Sequence, residues 1–385
     1  QLSLLVLLLG IPSARSQDAN AFPHPGESSQ PPPRACPPRC SCPLDDTVDC
    51  EGLDLELFPD NITKAAQHLS LQNNQLLEIP YNELSRLSNL KTLNLHNNLI
   101  SSEGLPDEAF ESLSALQYIY LANNKNNRIT WVPRGALSRQ QKLRELYLQN
   151  NNLSDTGIDP STFSKLKSLE YLDLSNNQLE EVPAGLPPGI VILHLGRNRI
   201  RHLPAERLSQ VRGLQYLLLQ NNELAAGGVH RDAFLRLRAL HTLHLYNNRL
   251  ERVPAGLPRR VRSLMLLHNR IGAIGPDDFA TTYALTELNL SYNRLYSARL
   301  HRLAFRKLRQ LQTLDLAGNH LTLLPAGLPA SLQVLKLQKN QLNTLGPESL
   351  VGMNGLKELH LAHNRLRIGS IAPGTWQEIL GLKVR

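Results

Sequence analysis

Four cysteines, Cys36, Cys40, Cys42 and Cys50, fall within fifteen residues in the spacing C-x3-C-x-C-x7-C. Thiols this close can oxidise to two disulfides, with three possible pairings, or hold a zinc ion. The start of the chain weighs between these. Leu2–Leu9 is an apolar run too short to cross a bilayer, and Ala14-Arg15-Ser16 reads as the cleavage site of a secretory signal, with Gln17 as mature start. A membrane anchor is the rival reading of that run. Export implies an oxidising compartment, so disulfides are expected and a metal is not. Catalytic chemistry finds no comparable grouping. No histidine stands in H-E-x-x-H, there is no G-x-S-x-G or phosphate-cradling glycine loop, and His194 and His244 lack a paired cysteine or acidic cluster. The expectation is a non-enzyme without cofactor or metal. Three N-x-[ST] sequons, at Asn61, Asn152 and Asn289, offer amide nitrogens for glycosylation.

The elements that position these residues come from a repeat. Leu214–Leu224 (LQYLLLQNNEL) fits L-x-x-L-x-L-x-x-N-x-L, the leucine-rich repeat signature, and the frame recurs at Leu240–Leu250, Leu285–Leu295 and Leu356–Leu366. Leu217 and Leu219 alternate with Tyr216, Leu218 and Gln220, so a short strand sends leucines to one face and the other side chains to the opposite face. One unit cannot bury its leucines alone; stacked units share a core and form a parallel sheet. Asn222 belongs at the turn after the strand, where leaving a buried backbone group unpaired costs roughly 1–3 kcal/mol.

The asparagines run Asn74, Asn98, Asn124, Asn151, Asn177, Asn198, Asn222, Asn248, Asn269, Asn293, Asn319, Asn340, Asn364. From Asn151 the gaps are 26, 21 and 24, three times over, a triplet of 71 residues. The 21-residue units carry Pro183/Pro187, Pro254/Pro258 and Pro325/Pro329 around Ala-Gly-Leu, which favours an extended return. The 26-residue units carry amphipathic runs such as Thr162–Leu169 and Phe234–Leu240, expected to make one or two helical turns. The rhythm breaks once. After gaps of 24 and 26, taking Asn127 as a rung leaves 3 where 21 belongs, so 18 residues, or 89 with a whole triplet, are missing at Asn124–Asn127. An exon skip or gene-model splice fits this better than a functional insertion, and a mispacked joint is expected around Lys125–Asn127.

The fold class expected is an α/β leucine-rich repeat solenoid. It has a curved parallel sheet on the concave side, short helical, 3-10 or extended returns on the convex side, and a disulfide-stapled N-terminal cap. Its parts are a signal peptide at 1–16, a Pro/Ser-rich disordered leader at 17–35, the cap at 36–66, and about thirteen repeats at 67–385 ending in a truncated coil. At about 4.8 Å per strand the sheet spans about 60 Å. The outward strand positions supply Tyr118, Tyr120, Tyr147, Gln149, Tyr171, Asp173, His194, Tyr216, Leu218, His244 and Tyr246. Exposed tyrosines give large contact area with a polar tip and are enriched at interfaces, although neighbouring rings can also simply stack on each other. The chain carries a net +8. Arginines cluster at Arg197, Arg199 and Arg201, at Arg259, Arg260 and Arg262, and at Arg299, Arg302, Arg306, Lys307 and Arg309. In an exported chain their polyanion is a sulfated polysaccharide such as heparan sulfate rather than nucleic acid; a solvated surface is the plainer alternative.

The cysteine spacing, with Ala35–Leu55, HLSLQNNQL (His68–Leu76), Arg144–Asp159 and His241–Arg262, resembles the small leucine-rich repeat proteoglycans, and among them the podocan group, their fifth class. The resemblance covers roughly residues 35–385. It implies a secreted extracellular-matrix protein that engages collagen or other matrix proteins through the concave face and takes growth factors as further partners, without membrane insertion. The chain contains no Ser-Gly dipeptide, so no glycosaminoglycan is expected on it. The competing class is the ectodomain of a leucine-rich repeat receptor.

Overall fold

The computed structural model describes residues 36–124, 128–377 and 379–385. The expected signal peptide (1–16), leader (17–35) and irregular joint (125–127) lie outside the described residues.

The repeat residues build one sheet whose strand order is the sequence order. Each coil contributes a strand of three residues, and neighbours pair parallel in unbroken register: Tyr216 faces Thr242, Leu217 faces Leu243 and Leu218 faces His244. The central residue of each strand is the signature leucine or its equivalent. Leu69, Leu93, Ile119, Leu146, Leu172, Leu193 and Leu217 are all at most 1% exposed. Five phenylalanines, Phe110, Phe163, Phe234, Phe279 and Phe305, are carried by the returns and are fully buried in the same core. Hydrogen bonding fixes the strand spacing at about 4.8 Å, while the returns are bulkier, so the sheet lies on the inside of the curve.

The cap is a hairpin. Ser41–Leu44 pairs antiparallel with Thr47–Asp49, which pairs parallel with His68–Ser70, and bonds Cys36–Cys42 and Cys40–Cys50 staple it. Among the three open pairings the structure selects this one. Its Val48 and Cys50 are buried against the first coil and cover the end of the leucine core.

The returns differ by unit length. In the 21-residue units Gly185, Gly256 and Gly327 take φ of 65–70°. A Cβ there would sit 1.7–2.2 Å from the carbonyl oxygens of Pro160, Arg231 and Arg302 in the preceding coil. Only glycine permits both the left-handed backbone and that approach. In 26-residue units the expected helical turns at Thr162–Leu169 and Phe234–Leu240 are instead chains of tight turns. Bonds such as Leu166 N–H to Phe163 O and Leu237 N–H to Phe234 O close over three residues rather than four. A short return cannot complete the longer ring before it must rejoin the sheet. Among the described residues, regular helix is confined to Tyr81–Ser85 and to 3-10 turns such as Asp155–Gly157, Ala226–Gly228 and Ser297–Arg299, four residues past the ladder asparagine of long units. At the far end Lys383–Val384 pairs with Glu358–His360. Among the described residues no helix is long and apolar enough to cross a membrane.

Candidate functional site on the concave sheet

The asparagine ladder fixes how precisely the strands present their side chains. Asn222 shows the pattern. Its Nδ2 donates to Leu195 O in the coil before and to Leu219 O and Gln220 O in its own, at 3.0, 3.0 and 3.3 Å. Its Oδ1 accepts the N–H of Ile200 at 3.0 Å. Every strand is thereby locked to its neighbour just after its last outward residue. Asn151 departs from the pattern: its Oδ1 is buried and accepts nothing among the described residues.

On this frame the outward positions form a row of rings. His96 meets Tyr120 edge-on at 5.1 Å, Tyr120 stacks on Tyr147 at 4.6 Å and 11°, and Tyr147 meets Tyr171 at 4.9 Å. The parallel register sets Tyr120 opposite Tyr147, and Tyr147 opposite Asp173. Asp173 continues the row as a polar relay. It accepts the Tyr171 hydroxyl at 3.2 Å and the Ser175 N–H and hydroxyl at 2.9 and 2.6 Å, and lies 3.4 Å from His194 Nδ1. The Gln220 amide reaches His194 Nε2 at 3.1 Å. Three polar atoms of this face, Gln149 Oε1, Gln220 Oε1 and His244 Nδ1, are buried without a partner among the described residues.

Burial sets the electrostatics. It pushes the Tyr120 hydroxyl up to about 12, and Tyr147 and Tyr171 further up, with Glu145 or Asp173 adding to the effect. Burial also raises Glu145. Asp173 is buried too, but the hydrogen bond and charge of His194 and the bonds from Ser175 outweigh that and hold it below the usual carboxylate range. His96 and His244 are lowered by burial to about 4. Glu145 accepts the Tyr147 hydroxyl and Asp173 those of Tyr171 and Ser175, so this part of the face presents rings and amides rather than bare charge.

All the expected concave residues lie on this face, but they are not equally reachable. Tyr118, Tyr120, Tyr147, Gln149, His194, Tyr216 and Tyr246 are half-buried and open to a partner. Tyr171, Asp173, Leu218 and His244 are at most 8% exposed. They form a floor under the neighbouring side chains rather than contact points. Close strand spacing on the inside of the curve crowds them, which sequence alternation does not show. His96 was not among the expected residues. Its position is readable as the third residue after the strand leucine Leu93 in LNLHNN, but its place at the head of the stack needs the register. The C-terminal part of the face carries Glu287, Asp315, Lys336 and His360 in place of tyrosines.

The remaining candidates lie elsewhere. Arg299 ends a 3-10 turn, and Arg302, Arg306, Lys307 and Arg309 follow on the convex return of the same coil, all exposed. Asn61 is exposed at φ 63° and Asn152 is half-buried. Asn289 is 9% exposed, and its Oδ1 accepts the Ser291 N–H and hydroxyl at 2.9 and 2.6 Å. The residue is nearly covered by its neighbours, which disfavours a glycan there. Glycopeptide mass spectrometry is therefore expected to find Asn61 modified and Asn289 bare, against the sequon alone; an occupied Asn289 in folded protein would refute this. No group of three or more His, Cys, Asp or Glu that could hold a metal occurs among the described residues.

The leucine rich repeat family model matches residues 65–125, 125–179, 259–321 and 326–366. Podocan-like protein 1 of Homo sapiens is 54% identical over 473 residues, covering 100% of this chain and 92% of the relative. Podocan of Mus musculus is 45% identical, covering 91% and 72%. A solved leucine-rich repeat protein of Leptospira interrogans superposes with a TM-score of 0.69 at 26% identity, covering 88% of this chain and 94% of that one. With the signature repeats, the stapled cap and these identities together, the chain belongs to the leucine-rich repeat family and, within it, to the podocan group of small leucine-rich repeat proteoglycans.

Proposed function

We propose that this protein is a secreted, non-catalytic component of the extracellular matrix that binds a matrix protein through its concave face, and that collagen is the partner. The stacked array of His96, Tyr120, Tyr147 and Tyr171 carries the reading. Rings held by their neighbours lose little freedom on binding, so the contact area they offer comes at small entropic cost. Collagen fits as a rod of exposed amides and prolines against a long aromatic and polar trough; the choice of collagen follows from membership of the family.

A solid-phase collagen assay with Tyr120, Tyr147, Tyr216 and Tyr246 replaced by Ala tests it. One lost interface hot spot is worth about 2 kcal/mol, so the folded quadruple variant is expected to bind at least roughly 30-fold more weakly. Undiminished binding would remove this face from the proposal.

A further inference from the structure

The residue just before each ladder asparagine takes a left-handed backbone throughout the solenoid. Upstream this position is mostly asparagine, at ease in that conformation, and pairs across coils: Asn97 with Asn73, Asn176 with Asn150, Asn247 with Asn221. Downstream the column changes to His268, Tyr292, Gly318 and Lys339. Backbone bonds place them on successive coils, from Tyr292 N–H to Ala317 O and from Gly318 N–H to Gln338 O. Tyr292 at φ 54° is a bulky residue in a conformation that costs it energy. The surroundings are built around its ring. His268 stacks on it at 4.7 Å and 2°, Lys339 Nζ lies 5.9 Å from its centre, and a Cβ on Gly318 would come within 2.4 Å of its Cδ1.

Two residues further along each coil lies a second column, with Arg270 and Arg294 exposed and His320 next in line. Tyr296, 50% exposed, stacks on His320 at 5.0 Å. Upstream, Glu223 takes both Arg201 and Arg249 at 2.9 and 3.2 Å, while Arg197 and Arg199 are exposed without a ring stacked beside them in the column. No ion pair among the described residues joins Arg270, Arg294 or Lys339 to a carboxylate. Unneutralised cations and exposed rings thus share one flank, away from the concave floor.

We propose that this flank, centred on Tyr292 with Arg270, Arg294 and Lys339, binds a sulfated polysaccharide. The cations meet sulfate or carboxylate groups, and the rings take the C–H faces of the sugars between them. The convex cluster of Arg306, Lys307 and Arg309 has charge without rings and is the natural control. The site is independent of the concave surface.

Heparin serves as the probe, with affinity measured against salt. Replacing Arg270, Arg294 and Lys339 by Gln is expected to lower the salt slope by about one per lost contact, about three in all. The same three-charge change at Arg306, Lys307 and Arg309 is expected to leave it near wild type. Tyr292→Asn removes no charge and installs the residue that the column uses upstream. It should weaken heparin binding about fivefold at unchanged slope, with no loss of thermal stability and unaltered collagen binding. Equal losses from the two charge variants, or full affinity in Tyr292→Asn, would overturn the proposal. Competition by poly-glutamate as effective as that by heparin would reassign the flank to an acidic peptide.

Discussion

Asn222→Ala is expected to lower stability toward urea by about 3 kcal/mol or more, whereas Asn221→Ala one residue earlier costs about 1 kcal/mol. The two side chains differ in what they leave behind. Truncating Asn222 leaves the Ile200 N–H without a partner inside the fold, where water cannot replace it, and takes from Leu195 O and Leu219 O one donor each, the amides of Asn198 and Asn248 remaining. Each unsatisfied buried group costs roughly 1–3 kcal/mol. Asn221 is half-exposed and makes one amide bond, with Asn247, that water can replace. Asn222→Asp should be no milder than Asn222→Ala. It keeps an acceptor for Ile200 but turns a carboxylate toward three carbonyls. Because coils in a solenoid are coupled to their neighbours, the loss is expected as a broadened transition as well as a lower midpoint. Equal effects at 221 and 222 would mean that the inner ladder does not hold the coils together.

Acid is expected to destabilise the protein between pH 6.5 and 4, and His244→Leu to remove a large part of that dependence. His244 is 6% exposed, and burial lowers it to about 4. Between 4 and the ordinary value near 6.5 the unfolded chain binds a proton that the folded chain refuses. Stability is thus fully present above pH 6.5 and declines as pH falls toward 4. At 1.36 kcal/mol per unit the loss is about 3 kcal/mol for His244. His96, lowered to about 4 by the same cause but half-buried, adds a smaller loss of the same sign. Asp173, held low, adds further loss in the acid range. Glu145, Glu287 and Asp315 act the other way, since burial raises them and the folded state takes up their protons first. The difference between wild type and His244→Leu isolates one group from this sum. Parallel stability-against-pH curves for the two proteins would contradict the assignment.

Much of the architecture is legible in the residues because a solenoid is local. The leucine spacing sets strand parity, the asparagines set the rungs, and the prolines and glycines of the 21-residue units mark the tight returns. Each contact lies one coil away, so the period alone implies the neighbour. The disulfide pairing was not legible, since four closely spaced cysteines satisfy any of three connectivities until the hairpin register brings Cys40 to Cys50. Nor was the division of the concave face. Alternation says that Tyr147 and Tyr171 both point outward; only the packing of side chains on the inner curve decides that one is open and the other covered, 8% exposed. The flank at Tyr292 lay furthest from reach, because an Asn-to-Tyr change in a left-handed turn reads as noise until Gly318 and His268 are seen on either side of the ring.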